Sequence, residues 1–108
     1  MWALAPARVS GDSMLPSLAD GDVVLLIRPG LDRLLGGSGG QEPGDVVALV
    51  TPYDGALAVK RVESVDPTGV YVLGDNRVPL ASRDSRSFGT VPVGSLRGRV
   101  VLAAPWWR

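Results

Sequence analysis

The chain has 108 residues, which suits one small domain with a single core. Basic and acidic residues balance to a formal net charge of +0, so a nucleic-acid partner is not expected. The chain contains no His and no Cys, which excludes a Ser-His-Asp triad, a thiol nucleophile and a Cys/His zinc site. We expect no metal and no cofactor. A hydrolase with this composition would need a different base, such as a lysine beside a serine.

Short apolar runs separated by turn residues predict a mainly β domain. Gly and Pro number 14 and 9, which indicates many turns and argues against a helical bundle. Asp54-Gly55 and the stretch 66–69 are typical turn sequences. We predict strands over residues 22–28, 45–51, 56–65, 70–73 and 96–103.

Two segments between the predicted strands are irregular. Residues 31–44 contain the run Gly-Gly-Ser-Gly-Gly, which predicts a flexible surface excursion over about residues 34–44. Residues 74–91 are polar and densely patterned, and a long loop of this kind in a small domain is usually functional or disordered.

The ends of the chain bear on membrane association. No window approaches 18 continuous apolar residues, and residues 1–9 are too short for a signal peptide. Trp106 and Trp107, followed by Arg108, suit a membrane interface, but the two Trp could equally cap the core or close a sheet edge.

Ser13 lies in a turn between two residue types that break regular structure. Gly11 permits an unusual φ, and Pro16 prevents a regular strand or a long helix. Such a turn can expose the Ser13 hydroxyl and direct its backbone N–H toward a reacting carbonyl. Most isolated serines are only turn or cap residues. Met14 fits the core or, with Leu15, the lining of a substrate pocket.

Lys60 lies within the predicted strand 56–65 among apolar neighbours. A strand lysine usually extends its ammonium to solvent. To accept a proton from Ser13 the amine must be neutral, so its pKa would have to fall well below that of a free lysine, which burial can achieve. Arg61 would lie on the opposite face of the strand and stay charged.

The polar loop 74–91 carries alternating acids and bases. We predict an ion pair between Arg86 and either Asp75 or Asp84. A buried bidentate arginine pair is specific enough to hold a serine hydroxyl against the lysine amine.

Three segments in this order resemble the boxes of the type I signal peptidase family, which uses a Ser-Lys dyad. Residues 13–18 with Gly21-Asp22 resemble its nucleophile box, and residues 59–62 resemble its lysine box. Residues 74–77 and 82–86 resemble its last box. The similarity spans nearly the whole chain, as one peptidase domain over residues 1–108.

The resemblance implies a β-rich domain of coiled antiparallel sheets and a role for each matching residue. Ser13 would be the nucleophile, Lys60 the general base, and Ser82 the residue that hydrogen-bonds the lysine amine. Some members have a hydroxyl residue two positions before the nucleophile, where this chain has Gly11, so the oxyanion hole would rest on the Ser13 N–H. Residues that would support the site are Asp75, Asp84 and Arg86.

The function implied is that of a serine endopeptidase that removes N-terminal signal or leader peptides from precursors with small residues at the cleavage site. The family places its catalytic domain on the outer side of the cytoplasmic membrane. Because the family's usual anchor is not found before the nucleophile box, we expect either a shortened chain or a compact anchorless member, for which a soluble cytoplasmic location is the alternative.

Three other functions are weighed against this one. A dedicated maturation protease is one, since the nickel superoxide dismutase maturation proteases are similar in length and in their Trp-rich end. A self-cleaving domain like that of the SOS-response repressors would share the Gly-x-Ser-Met turn and a strand lysine, but not the loop 74–91. An inactive β module that binds peptides is the third.

Overall fold

The computed structural model describes residues 3–104, and within them the fold is mainly β, as predicted. The strands form one antiparallel sheet in the order β1-β2-β6-β3-β4-β5. The strands are β1 (Leu4–Arg8), β2 (Val23–Ile27), β3 (Val46–Val50), β4 (Leu57–Asp66), β5 (Gly69–Leu73) and β6 (Leu96–Ala104).

The five predicted strands correspond to β2 through β6, whereas β1 was not predicted. Its sequence, Leu-Ala-Pro-Ala-Arg, has Pro6 at the centre and no β-branched or aromatic residue. Proline is tolerated in β1 because this strand is at the edge of the sheet and pairs only with β2.

Helical turns occupy parts of the segments that were predicted to be irregular. Helix α1 (Pro29–Leu34) begins with a proline in its first turn, where the missing N–H costs nothing. Helix α2 (Ser85–Phe88) is capped by Asp84, whose carboxylate accepts from the Arg86 amide. A 3₁₀ turn over Val93–Ser95 leads into β6.

The sheet has apolar clusters on both faces, which explains why its strands have continuous rather than alternating hydrophobic sequences. On β3, Val47 and Leu49 belong to one cluster, whereas Val46 and Ala48 contact the other. The first cluster comprises Val47, Leu49, Val62, Val70, Val72, Val91 and Leu96. The second comprises Val9, Met14, Leu18, Val24, Leu26 and Ala48.

The glycine-rich segment after α1 packs around a buried carboxylate. Asp32 is 2% exposed and accepts hydrogen bonds from Arg99 Nε and Nη2 at 2.8 and 2.7 Å. The Gly39 amide donates to the same carboxylate at 2.9 Å. The hydrogen bonds from Arg99 lower the pKa of Asp32, and the one from the Gly39 amide lowers it further. Burial raises this pKa, but the net result is a pKa below the usual value. The flexibility predicted for this segment stays a prediction.

We expect Asp32→Asn to lower the free energy of unfolding by about 2 kcal/mol near neutral pH, because charge-assisted hydrogen bonds are lost in a buried site. Since the native pKa of Asp32 is depressed, its contribution is complete above the unfolded pKa and disappears as pH falls through the native pKa. The difference between the two proteins should therefore shrink in acid. Urea denaturation across pH measures it, with Glu63→Gln at an exposed position on β4 as the control. An unchanged difference at low pH would contradict the assignment.

Candidate active site

Ser13 lies in the connection between β1 and β2, residues 9–22, which we call the nucleophile loop. The base of the loop is closed by two backbone hydrogen bonds of 2.8 Å, from Val9 to Asp22 and from Gly21 to Val9. Gly11 has a φ of +80°, a conformation that favours glycine, and its amide donates to Asp20 Oδ1 at 2.7 Å. The loop therefore has a defined shape, and Ser13 is half-buried within it.

The residue after Ser13 anchors the loop to the core. Met14 is fully buried in the second apolar cluster beside Val9 and Leu18, and its carbonyl accepts from the Leu18 amide at 3.0 Å. The sequence allowed Met14 to lie in the core or to line a substrate pocket, and in the structure it lies in the core. Neither Met14 nor Leu15 lines the cavity that contains Ser13, and the assignment of Leu15 to a substrate pocket stays a prediction.

Lys60 is buried, which decides between the two alternatives left by the sequence. It lies on β4 opposite Val47 of β3 and is 4% exposed. Its Nζ donates to Ser82 Oγ at 3.0 Å. Burial lowers the pKa of Lys60; the charge of Asp84 opposes this effect and the charge of Arg86 adds to it. The amine is thus biased toward the neutral form that a general base needs.

Ser82 connects Lys60 to the ion pair between the buried Asp84 carboxylate and the exposed Arg86. Its hydroxyl donates to Asp84 Oδ2 at 3.0 Å, and Arg86 holds the same carboxylate through Nε and Nη2 at 3.0 and 2.8 Å. The Gly74 amide donates to Asp84 at 2.9 Å. Burial raises the pKa of Asp84, but the hydrogen bonds outweigh it and lower the pKa to about 2. Of the two acids considered as the partner of Arg86, the structure selects Asp84.

Asp75 pairs instead with Arg61, a contact that the sequence interpretation missed. Arg61 Nε and Nη2 each donate to the Asp75 carboxylate at 2.9 Å, and Ser17 Oγ donates to it at 2.6 Å. Alternation along β4 sends Arg61 away from Lys60, as predicted. The signal that could have identified the pair is the charge complementarity of Arg61 and Asp75, and the antiparallel pairing of β4 with β5 brings them together.

Gly74 allows the nucleophile loop to dock on the polar loop. A Cβ at Gly74 would lie 2.3 Å from Ser82 Oγ and 2.6 Å from the Ser13 carbonyl oxygen, so no side chain fits. On the same side, the Asn76 amide donates to the Ser13 carbonyl and its side-chain nitrogen to the Asp12 carbonyl, both at 2.9 Å. Ser13 and Ser82 are therefore held on either side of one glycine.

Ser13 and Lys60 line the same cavity, which has a volume of about 160 Å³. Its remaining walls come from residues 7–10 and 57–59. Because β1 and β4 are separated by three strands in the sheet order, the sheet must curve to bring them to one cavity. Within residues 3–104, residues 57–60 pair only with β3 and β1 pairs only with β2, so each presents an unpaired strand edge.

A family model described as signal peptidase, peptidase S26, matches residues 59–107. This match supports membership of the type I signal peptidase family. The matched range contains Lys60 and the segment from Ser82 to Arg86, whereas Ser13 precedes it. No curated protein matches the chain.

The match supports a peptidase of the hydrolase class, and the signal peptidase family implies precursor polypeptides as substrates. Signal peptidases are in general membrane-associated proteins. Among residues 3–104, no helix is long and apolar enough to cross a bilayer. The predicted membrane contact of Trp106 and Trp107 lies outside the described residues and stays a prediction.

Proposed function

We propose that this chain is a serine endopeptidase that removes N-terminal leaders from precursors, with Ser13 as nucleophile and Lys60 as general base. One observation carries the proposal: the buried amine of Lys60 and the hydroxyl-bearing Ser13 line one cavity between two unpaired strand edges. A Ser-Lys pair needs no imidazole, in agreement with a chain that lacks His.

In the proposed reaction, Ser13 Oγ attacks the scissile carbonyl carbon while Lys60 Nζ accepts the hydroxyl proton. The resulting ammonium donates that proton to the leaving amine, and an acyl-enzyme ester remains on Ser13. Water that gives a proton to Lys60 then hydrolyses the ester and restores Ser13. The backbone N–H of Ser13 would donate to the oxyanion, since Gly11 offers no hydroxyl at the matching position.

The hydrogen bonds of Ser82 support its proposed role in positioning the base. The single hydroxyl proton of Ser82 goes to Asp84, so its oxygen can only accept from Lys60. A neutral amine that donates one hydrogen to Ser82 keeps its lone pair available for Ser13. The bidentate contact of Arg86 with Asp84 offsets the carboxylate charge that would otherwise favour the ammonium form.

The cavity shape supports an extended substrate with small side chains near the scissile bond. A peptide can add as a strand to the free edges of β1 and β4, where backbone hydrogen bonds supply affinity. A second, more apolar cavity of about 560 Å³ shares Ala7 and Leu57 with the first, so that together they form a groove. The small cavity beside Ser13 fits the family's preference for residues such as alanine.

Cleavage of a precursor panel tests the proposal. Leader peptides that end in Ala-x-Ala and a short metalloenzyme propeptide would be compared in the presence of detergent or lipid. Preference for the first would indicate a general signal peptidase at a membrane surface, and preference for the second a dedicated maturation protease. Failure to cleave any precursor would instead favour the peptide-binding module.

The pH dependence of cleavage should report Lys60. Because the base must be neutral, kcat/KM should rise with pH through an apparent pKa below that of an ordinary lysine. Arg86→Gln removes a charge that lowers the pKa of Lys60, so the ascending limb should move to higher pH. Arg86→Lys retains the charge and should move it less.

The same pKa can be measured without substrate, because Lys60 is the only lysine in the chain. An NMR titration of its side-chain amine should give the apparent pKa found in the kinetic profile. Two results would argue against Lys60 as the base. One is an amine that titrates as an ordinary lysine does, and the other is a pH profile of kcat/KM that Arg86→Gln does not shift.

A further inference from the structure

A third cavity, distinct from the two described above, adjoins the proposed active site at Ser82. It has a volume of about 450 Å³ and lies between the turn that follows β3 and the polar loop. It meets the Ser13 cavity at the 3.0 Å hydrogen bond from Lys60 to Ser82, because Lys60 lines one and Ser82 the other. We call it the Arg83 hollow; it is lined by Tyr53, Leu80, Ser82, Arg83, Ser87 and Phe88.

The apolar residues at its rim are not explained by the packing of the domain. The Leu80 side chain is fully exposed, and its φ of +66° lies in the left-handed region, which a leucine adopts at a cost of roughly 1–2 kcal/mol. Tyr53 is 53% exposed. Neither core burial nor backbone preference accounts for a leucine at this position, so its apolar surface is available to a bound molecule.

Arg83 gives the hollow a positive charge that lacks a carboxylate partner. Its guanidinium carbon lies 4.5 Å from the centre of the Tyr53 ring, and no ion pair within residues 3–104 includes it. The nearby charge of Arg83 helps to lower the pKa of Asp54, but the hydrogen bonds of that carboxylate come from Thr51, the Ala56 amide and Tyr53. By contrast, carboxylates hold Arg61, Arg86 and Arg99.

We propose that the Arg83 hollow binds the part of the precursor that follows the scissile bond, with an acidic side chain on Arg83 and an apolar one against Leu80 and Phe88. The inference rests on the proposed function. The leaving amine must reach Lys60 to receive its proton, and Ser82, bonded to Lys60, forms the wall of the hollow. The chain beyond that amine is therefore directed toward Arg83.

Peptides that are identical up to the cleavage site and carry Asp, Asn or Lys at successive positions after it test this inference. Binding is first measured to Ser13→Ala protein, so that it does not depend on cleavage. At one of these positions we expect Asp to bind about five-fold more tightly than Lys, the size of an exposed ion pair. In the wild-type enzyme the same preference should appear in KM, with kcat little changed.

Arg83→Glu should make the Lys peptide bind more tightly than the Asp peptide, whereas Arg83→Lys should keep the preference for Asp. Arg33→Glu makes the same charge change at an exposed position on α1 and should leave the preference intact. Thermal melting of each variant verifies that it is folded.

The outcomes separate this inference from the proposed function. Equal binding of the Asp and Lys peptides, a preference that Arg83→Glu leaves unchanged, or no binding at all would overturn the inference. Cleavage without charge preference would support the peptidase and reject the hollow as its binding site. Charge preference in binding, with no cleavage by the wild-type protein, would support the hollow and reject the peptidase.

Discussion

Replacement of Lys60 by methionine is expected to lower kcat/KM for precursor cleavage by roughly a thousandfold or more, because no other side chain among the described residues that line the Ser13 cavity can act as a general base. The methionine side chain is similar in length and apolar. Since Lys60 is 4% exposed, the variant should fold and should be at least as stable as the wild type. Loss of activity would then report chemistry rather than unfolding.

Ser13→Ala should cause a comparable loss, and the double variant should be no worse than either single one, because the two residues act as a unit in the proposed reaction. Ser95→Ala, in the 3₁₀ turn before β6, is a matched serine control and should keep its activity. Steady-state cleavage and urea denaturation provide the two measurements. Full activity of Lys60→Met would reject the dyad, whereas activity lost only in Ser13→Ala would indicate a different base.

Gly74→Ala is expected to lower kcat/KM by about a hundredfold, since displacement of reacting groups by about 1 Å can cost that much. The added methyl group would lie 2.3 Å from Ser82 Oγ and 2.6 Å from the Ser13 carbonyl, so one of them must move. Moving Ser82 would release the amine of Lys60, and moving the carbonyl would shift Ser13, the proposed nucleophile. Either displacement separates groups that the reaction needs together.

The control for this change is Gly30→Ala in α1, where a Cβ meets nothing within 4 Å. It should leave kcat/KM unchanged. An NMR titration of the Lys60 amine distinguishes the two displacements. Movement of Ser82 breaks the hydrogen bonds that connect Nζ to Asp84 and should change the pKa of Lys60, whereas movement of the Ser13 carbonyl should leave that pKa unchanged. Wild-type activity in Gly74→Ala would show that the close contact of the two loops is not required.

Much of the sheet could be predicted from the sequence, for a local physical reason. The continuous aliphatic runs of β2 and β3 identify strands buried on both faces. Asp54-Gly55 marks the turn after β3, and residues 66–69 mark the turn between β4 and β5. β1 escaped prediction because its stability comes from pairing with β2 rather than from its own residues. Helix α2 escaped because it is a single turn, held by the Asp84 cap and the Arg86 contact.

For the candidate site, the local sequence indicates residue types but not partners. The segment around Ser13 predicts a turn, and alternation along β4 predicts that Lys60 and Arg61 lie on opposite faces. Which acid pairs with Arg86, and whether Arg61 has a partner, depend on the path of the polar loop. Long-range contacts set that path, such as those of Asn76 with Ser13 and of Asp75 with Ser17.

The sequence by itself determined the class of fold, the absence of imidazole and thiol chemistry, and the residues able to replace them. Only the tertiary structure decided that Lys60 is buried, because a strand pattern cannot show whether its face is covered by Ser82 or by water. It also decided that Lys60 and Ser13 share a cavity. That placement depends on the curvature of the whole sheet, which no local segment encodes.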